Sequence, residues 1–380
     1  MVQLEVIKAS WALLFLGIVA FTLQRIAQKT PEKPHTFPPK PRPEYSEDAY
    51  YTIEPLSKLD LATEEPIKLR TFKPKYHLTM GLENTTISDL IAMDNTYEQR
   101  LKIRYDLLRD AEHEVLAHRP AAAASVQEFY SWMTSTYLPQ RFPTIYTLTP
   151  TGLYNSVTSL TLPLTPTDAS QALSLLGANV DCDFLFMLPI PPGDAAYRSE
   201  EGTKYRLEAF INCFPSGFSP REKLGLSLAD IHSPVPSYAA KLQKSMDRFF
   251  ATLPVGRIVK RHNWTVTTHT RLHVLAGNHM SEEEAAEEGV KEEEEVDLGQ
   301  TVLRCERQTL HRLPGTGALV FAFKTYTYPI RELREEGSGE ALAQAVEGMG
   351  RGSVPEMRVY KRQVVWGEKV ANYLRGDIDE

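Results

Sequence analysis

TVLRCERQTLHRL at residues 301–313 and GALVFAFKTYTYPI at residues 317–330 decide the fold class. Both runs are rich in β-branched and aromatic residues at period two, the pattern of strands. Pro314-Gly315-Thr316-Gly317 lies between them and is a tight-hairpin signal. WTVTTHTRLHVL at 264–275 has the same character and predicts another strand. DCDFLFMLP at 181–189 and YRLEAFINCF at 205–214 read as two more, each followed by a Pro-rich turn. Apolar residues fall at helical spacing over 87–118, with one break, and over 121–138, where Pro139 closes the run. Shorter helices are expected at 239–253, 340–349 and 364–375. The sum is an α+β fold with an antiparallel sheet at its centre, not alternating βαβ units.

The chain has 380 residues, of which 42% are hydrophobic and 24% charged, enough for one large domain or two. Three cysteines exclude a disulfide-dense scaffold and any four-cysteine zinc or iron–sulfur site, and they favour a reducing compartment. The net charge is −7, but SEEEAAEEGVKEEEEVD at 281–297 alone carries −9, which leaves +2 for the rest. The acidic balance therefore belongs to one insert, expected to be a long solvated loop between two strands. No basic stripe remains to engage nucleic acid.

ASWALLFLGIVAFTL at 9–23 is an apolar run that extends to Val6–Ile26 if Lys8 snorkels. No small-x-small cleavage site follows it, which favours an uncleaved anchor over 1–29, with its helix near 9–26, above a cleaved signal. Arg25, Lys29 and Lys33 follow the run, so the positive-inside rule puts the main body in the cytosol. A single-pass, endoplasmic-reticulum-type membrane protein is expected. Residues 30–46 hold six prolines, and 30–49 read as an extended linker to a domain over 50–380.

The common catalytic signatures are missing: there is no GxxxxGK[ST] phosphate loop and no GxSxG nucleophile elbow. His269 and His273 would share one face of a strand, as a metal pair or on a solvated surface. Three segments carry more chemistry. His232 stands between Ile231 and Ser233-Pro234-Val235-Pro236, a stiff backbone suited either to an axial metal ligand or to a capped turn with a hydrogen-bonded histidine. Arg261-His262-Asn263-Trp264 leads into a strand. In Arg304-Cys305-Glu306-Arg307-Gln308, residues 304, 306 and 308 point to one face and 305 and 307 to the other. A face bearing Arg, Glu and Gln either pairs internally or with a polar ligand, or forms an exposed, salt-bridged edge.

These segments occur in a fixed order with Met80-Gly81-Leu82, Asp94-x-x-Tyr97-x-x-Arg100-x-x-x-Arg104, Phe214-Pro215-Ser216, Lys223-Leu224-Gly225, Arg312-Leu313-Pro314 and Tyr360-Lys361. The ordered set, running from about residue 75 to 375, resembles the α-subunit of the haem-dependent oxidative N-demethylases. The resemblance implies a PAS-like antiparallel sheet flanked by helices and holding a b-type haem through a histidine. It implies oxygen-dependent demethylation of a small amine, with release of formaldehyde. His232 then becomes the expected iron ligand, with His311 as the alternative. Arg261, Arg304 and Arg307 become the expected partners of the haem propionates, and Glu306 the carboxylate that handles protons or steers a cationic amine. The chain has no flavin or nicotinamide fingerprint, so electrons are expected from a separate NAD(P)H-dependent reductase. Two other readings compete: a PAS-type haem sensor or binding module without turnover, and a scaffold that kept the fold and lost haem.

Overall fold

The computed structural model describes residues 45–197, 202–281, 284–285 and 296–379. The expected anchor and most of the linker lie outside the described residues, as does most of the acidic run. Among the described residues no helix is long and apolar enough to cross a membrane. Residues 45–380 form one compact unit.

Among the described residues ten strands build it: β1 (Glu83–Thr85), β2 (Leu116–His118), β3 (Tyr146–Thr149), β4 (Gly152–Asn155), β5 (Leu160–Leu162), β6 (Asp183–Pro189), β7 (Tyr205–Ile211), β8 (Ile258–Thr267), β9 (Val302–Arg312) and β10 (Leu319–Pro329). The helices that matter below are α1 (Tyr97–Asp110), α2 (Ala123–Trp132), α3 (Ala169–Asn179), α4 (Leu228–Ile231), α5 (Lys244–Thr252), α6 (Ile330–Glu335), α7 (Gly339–Glu347), α8 (Met357–Tyr360) and α9 (Gln363–Arg375). Seven strands form one antiparallel sheet in the order β1-β8-β9-β10-β6-β7-β2, and β3–β5 form a small second sheet. The expected hairpin is present: β9 and β10 pair from Arg312↔Leu319 to Val302↔Pro329.

The sheet is buried on both faces. On one face Phe184, Phe186, Ala209, Ile211, Val320 and Ala322 join residues of α1, α2 and α3 in the largest apolar core. Helices α6, α7 and α9 close a second core over Leu303, Cys305, Tyr326 and Tyr328. The other face of β6, β7, β9 and β10 contributes Met187, Leu207, Leu310 and Leu319 to a third cluster.

Three elements differ from expectation. The run 264–275 is not one strand: β8 begins earlier, at Ile258, and ends at Thr267. Beyond it the chain folds back, with Val274 exchanging backbone hydrogen bonds with Pro215 and Gly217. His269 and His273 therefore lie off any strand, bonded to Asn278 and to the Cys213 carbonyl. In 87–118 only Tyr97–Asp110 and Glu112–Val115 are α-helical. The preceding Asp94 is turned inward to ion-pair with Lys324 at 2.8 Å. Pro139 does not close the helix of 121–138. A π-turn at Met133–Tyr137 runs directly into Leu138–Arg141, so the helical path widens ahead of the proline and continues past it.

Candidate functional site

A cavity of about 500 Å³ opens against the third-cluster face of the sheet. Strand alternation decides what it sees. β8 contributes Arg261, Asn263 and Thr265, and β9 contributes Arg304, Glu306, Gln308 and Leu310. The register sets Arg261 opposite Gln308, Asn263 opposite Glu306 and Thr265 opposite Arg304. β10 and β6 add Phe321, Phe323, Leu185 and Met187. The sheet wall is thus polar over β8 and most of β9 and apolar over β10 and β6. The outer wall comes from Tyr76–Leu82, from α4, His232 and α5, and from Tyr360 and Lys361.

The polar residues are linked. Arg261 Nη1 donates to Gln308 Oε1 at 3.1 Å, and Gln308 Nε2 donates to Glu306 Oε2 at 2.8 Å. Asn263 Nδ2 lies 3.5 Å from the same carboxylate oxygen. Arg304, 2% exposed, donates to the carbonyls of Phe214, Pro215, Arg271 and Leu272, which ties two loops to the sheet. Its Nε and that of Arg261 are buried without a partner among the described residues. Burial pushes the pKa of both guanidinium groups down.

His232 caps the C-terminal end of α4, whose N-terminus is fixed by a Ser227–Asp230 capping box. Its Nδ1 lies 2.8 Å from the Leu228 carbonyl, which can only accept, so Nδ1 carries the proton. Nε2 is left with the free lone pair. The ring stacks on Tyr238 at 4.7 Å and 12°. Burial lowers the His232 pKa and keeps the imidazole neutral. The turn is capped and the ring is hydrogen-bonded through Nδ1 and stacked on Tyr238, which leaves Nε2 as the ring nitrogen with a lone pair.

Two expected site residues are not brought here. Arg307 and His311 have odd numbers on β9 and point to the opposite face of the sheet. Arg307 ion-pairs with Asp89 at 2.6 Å. His311 is fully buried among the rings of Tyr50, Phe129 and Trp132 at 5.6–6.2 Å. Charge and residue type had drawn both into the site; alternation takes them out. Sequence reasoning gave no role to Tyr238, His279 or Lys361. Of these only Lys361 left a trace, in the Tyr360-Lys361 step of the ordered motif set.

A sheet face with a hydrogen-bonded histidine, an apolar side and a polar, cationic side can hold an amphipathic, anionic ligand. The family model described as haem-dependent oxidative N-demethylase, alpha subunit-like, matches residues 81–371. The chain belongs to that family, and the family is haem-dependent. The residues present fit the group. The lining holds Lys223, Arg261, Arg304 and Lys361 against Glu222 and Glu306, an excess of two positive charges that suits two propionates. His232 offers a neutral imidazole nitrogen for iron, and the volume lies within the range of cofactor sites.

Proposed function

We propose that this chain binds a b-type haem through His232 and catalyses the oxidative N-demethylation of a small amine. In the overall balance the N-methyl amine, O2, two electrons and two protons give the demethylated amine, formaldehyde and water. The electrons come from a separate NAD(P)H-dependent reductase. The observation that carries the reading is the His232 geometry: Nδ1–H held by the Leu228 carbonyl and the ring clamped on Tyr238, at the wall of a cavity with a cationic side. When bound, the haem supplies the one-electron and oxygen chemistry.

The protein's own residues supply the rest. The Leu228 carbonyl and Tyr238 orient the imidazole. The apolar side chains of β10 and β6 would exclude water from a group held in the cavity. Glu306, held by Gln308 and Asn263, is placed to attract a protonated amine or to pass a proton. The five long strands β6–β10, counted in chain order, run 2-1-5-4-3 across the sheet, which supports the PAS-like reading.

The test is hemin titration of the full chain and of His232→Ala, read at the Soret band. A band in the wild type that is lost or displaced in the variant is expected. A band unchanged in His232→Ala removes the ligand assignment, and no uptake by the wild type removes the haem reading. Haem uptake without formaldehyde release, with reductase, O2 and methylated amines present, would leave a haem sensor.

A further inference from the structure

Arg261 and Lys361 are two cations at the polar side of the cavity, and neither forms an ion pair with a carboxylate among the described residues. Lys361 is 4% exposed. Its ammonium donates to the Trp264 carbonyl at 2.5 Å and lies 3.4 Å from Asn263 Oδ1. The rings of Tyr76 and Trp264 flank it, each centroid 5.4 Å away. Its backbone is fixed at both ends, by Lys361 N–H to the Met357 carbonyl at 2.9 Å and by Trp366 Nε1 to its own carbonyl at 3.1 Å. Arg261 spends one nitrogen on Gln308 and leaves Nε unpartnered.

The two charges repel. Burial first, then Arg261, pushes the Lys361 ammonium down to about 8, while Glu306 and Cys305 pull weakly the other way. Glu306 is already the acceptor for Gln308 and Asn263. Arg304 is committed to four backbone carbonyls. Two like charges lining one cavity, Lys361 buried and Arg261 with its Nε buried, are costly unless a partner returns the lost hydration.

We propose that Arg261 and Lys361 together form a carboxylate-binding pair that grips an anionic group of the molecule held in the cavity. The inference rests on the haem reading above. A carboxylate there has two sources, a haem propionate or the carboxylate of an N-methylated amino acid substrate. A guanidinium edge and a point-charge ammonium are complementary donors to one such group.

The experiment titrates the full-length wild type and Lys361→Met with hemin and with hemin dimethyl ester, which lacks the two charges, by Soret absorbance. If the pair holds a propionate, the wild type prefers hemin over the ester by roughly tenfold, the worth of one charge-assisted contact. Lys361→Met then loses that preference, and Lys361→Arg restores most of it. If the pair holds a substrate carboxylate, hemin uptake is the same in Lys361→Met. The spectral titration of the loaded protein with N-methylglycine is then weakened about tenfold while that with dimethylamine is unchanged.

Hemin and N-methylglycine bound equally well by wild type and Lys361→Met overturn this inference alone. A wild type that takes up no hemin overturns it together with the haem reading. Methionine removes a buried charge at similar length, so a thermal midpoint at or above that of the wild type shows a folded variant. Arg261→Gln read in the same titrations gives the second, independent measure.

Discussion

His311 shows how a single residue can be read wrongly from its chemistry and correctly from its neighbours. Both ring nitrogens are buried without a partner among the described residues, and the adjoining Tyr50 hydroxyl and Trp132 Nε1 are unpartnered too. Burial holds the imidazole neutral and pushes its pKa down to about 3. The unfolded chain takes up that proton near 6.5, so between these values the unfolded state binds more protons. Stability is therefore complete above the unfolded value and declines as the pH falls through this window. His232 and His279, the latter pushed by burial to about 4, act in the same direction. His311→Leu is expected to raise stability at neutral pH by about 1 kcal/mol, by removing unsatisfied polar atoms, and to flatten the acid decline. Urea unfolding at pH 4.5 and 7.5 checks this. An acid decline as steep as that of the wild type would show that His311 is not a source of it.

Elements place the site through contacts that no local pattern announces. The segment carrying Tyr76, Leu78 and Met80 to the cavity wall is held by Tyr76 N–H to the Gly348 carbonyl, Ser353 N–H to the Tyr76 carbonyl and Leu78 N–H to the Ser353 hydroxyl. A Cβ on Gly352 would fall 1.4 Å from the Tyr76 carbonyl oxygen. Gly352→Ala is expected to push the segment off, at about 3 kcal/mol, the upper end of overpacking costs. Hemin uptake should weaken with it. Retained stability and retained Soret titration in this variant would mean that the segment does not build the wall. The motif Asp94, Tyr97, Arg100 and Arg104 belongs to the scaffold. Arg104 ion-pairs with Asp183 at 2.6 Å, Tyr97 donates to the Asn179 carbonyl, and Arg100 to that of Thr325. A set of residues that is specific as a sequence signature can thus be structural in part. β9 was legible as a strand, and its alternation put Arg304, Glu306 and Gln308 on one face. The same alternation puts Arg307 and His311 on the opposite face.

At the scale of the molecule, the cavity draws on residues from Tyr76 to Lys361 and exists only when the sheet, α4, α5 and the C-terminal helices are assembled. A ligand of that cavity binds the folded state and not the unfolded chain. Hemin at about a hundred times its Kd should therefore add about 2.7 kcal/mol to the wild type. It should add little to His232→Ala; scanning calorimetry of both, with and without hemin, reads this. Equal stabilisation of both would place hemin outside the cavity. The sequence by itself determined the α+β class, the β9–β10 hairpin, the two C-terminal helices α7 and α9 and the family, because period, turn chemistry and ordered motifs are local properties. Tertiary structure alone decided which cations meet. It spends Arg304 on loop carbonyls, turns Arg307 to Asp89 and brings Lys361 into the cavity that Arg261 lines, a hundred residues away in sequence, because burial and hydrogen bonding act between elements that the sequence keeps apart.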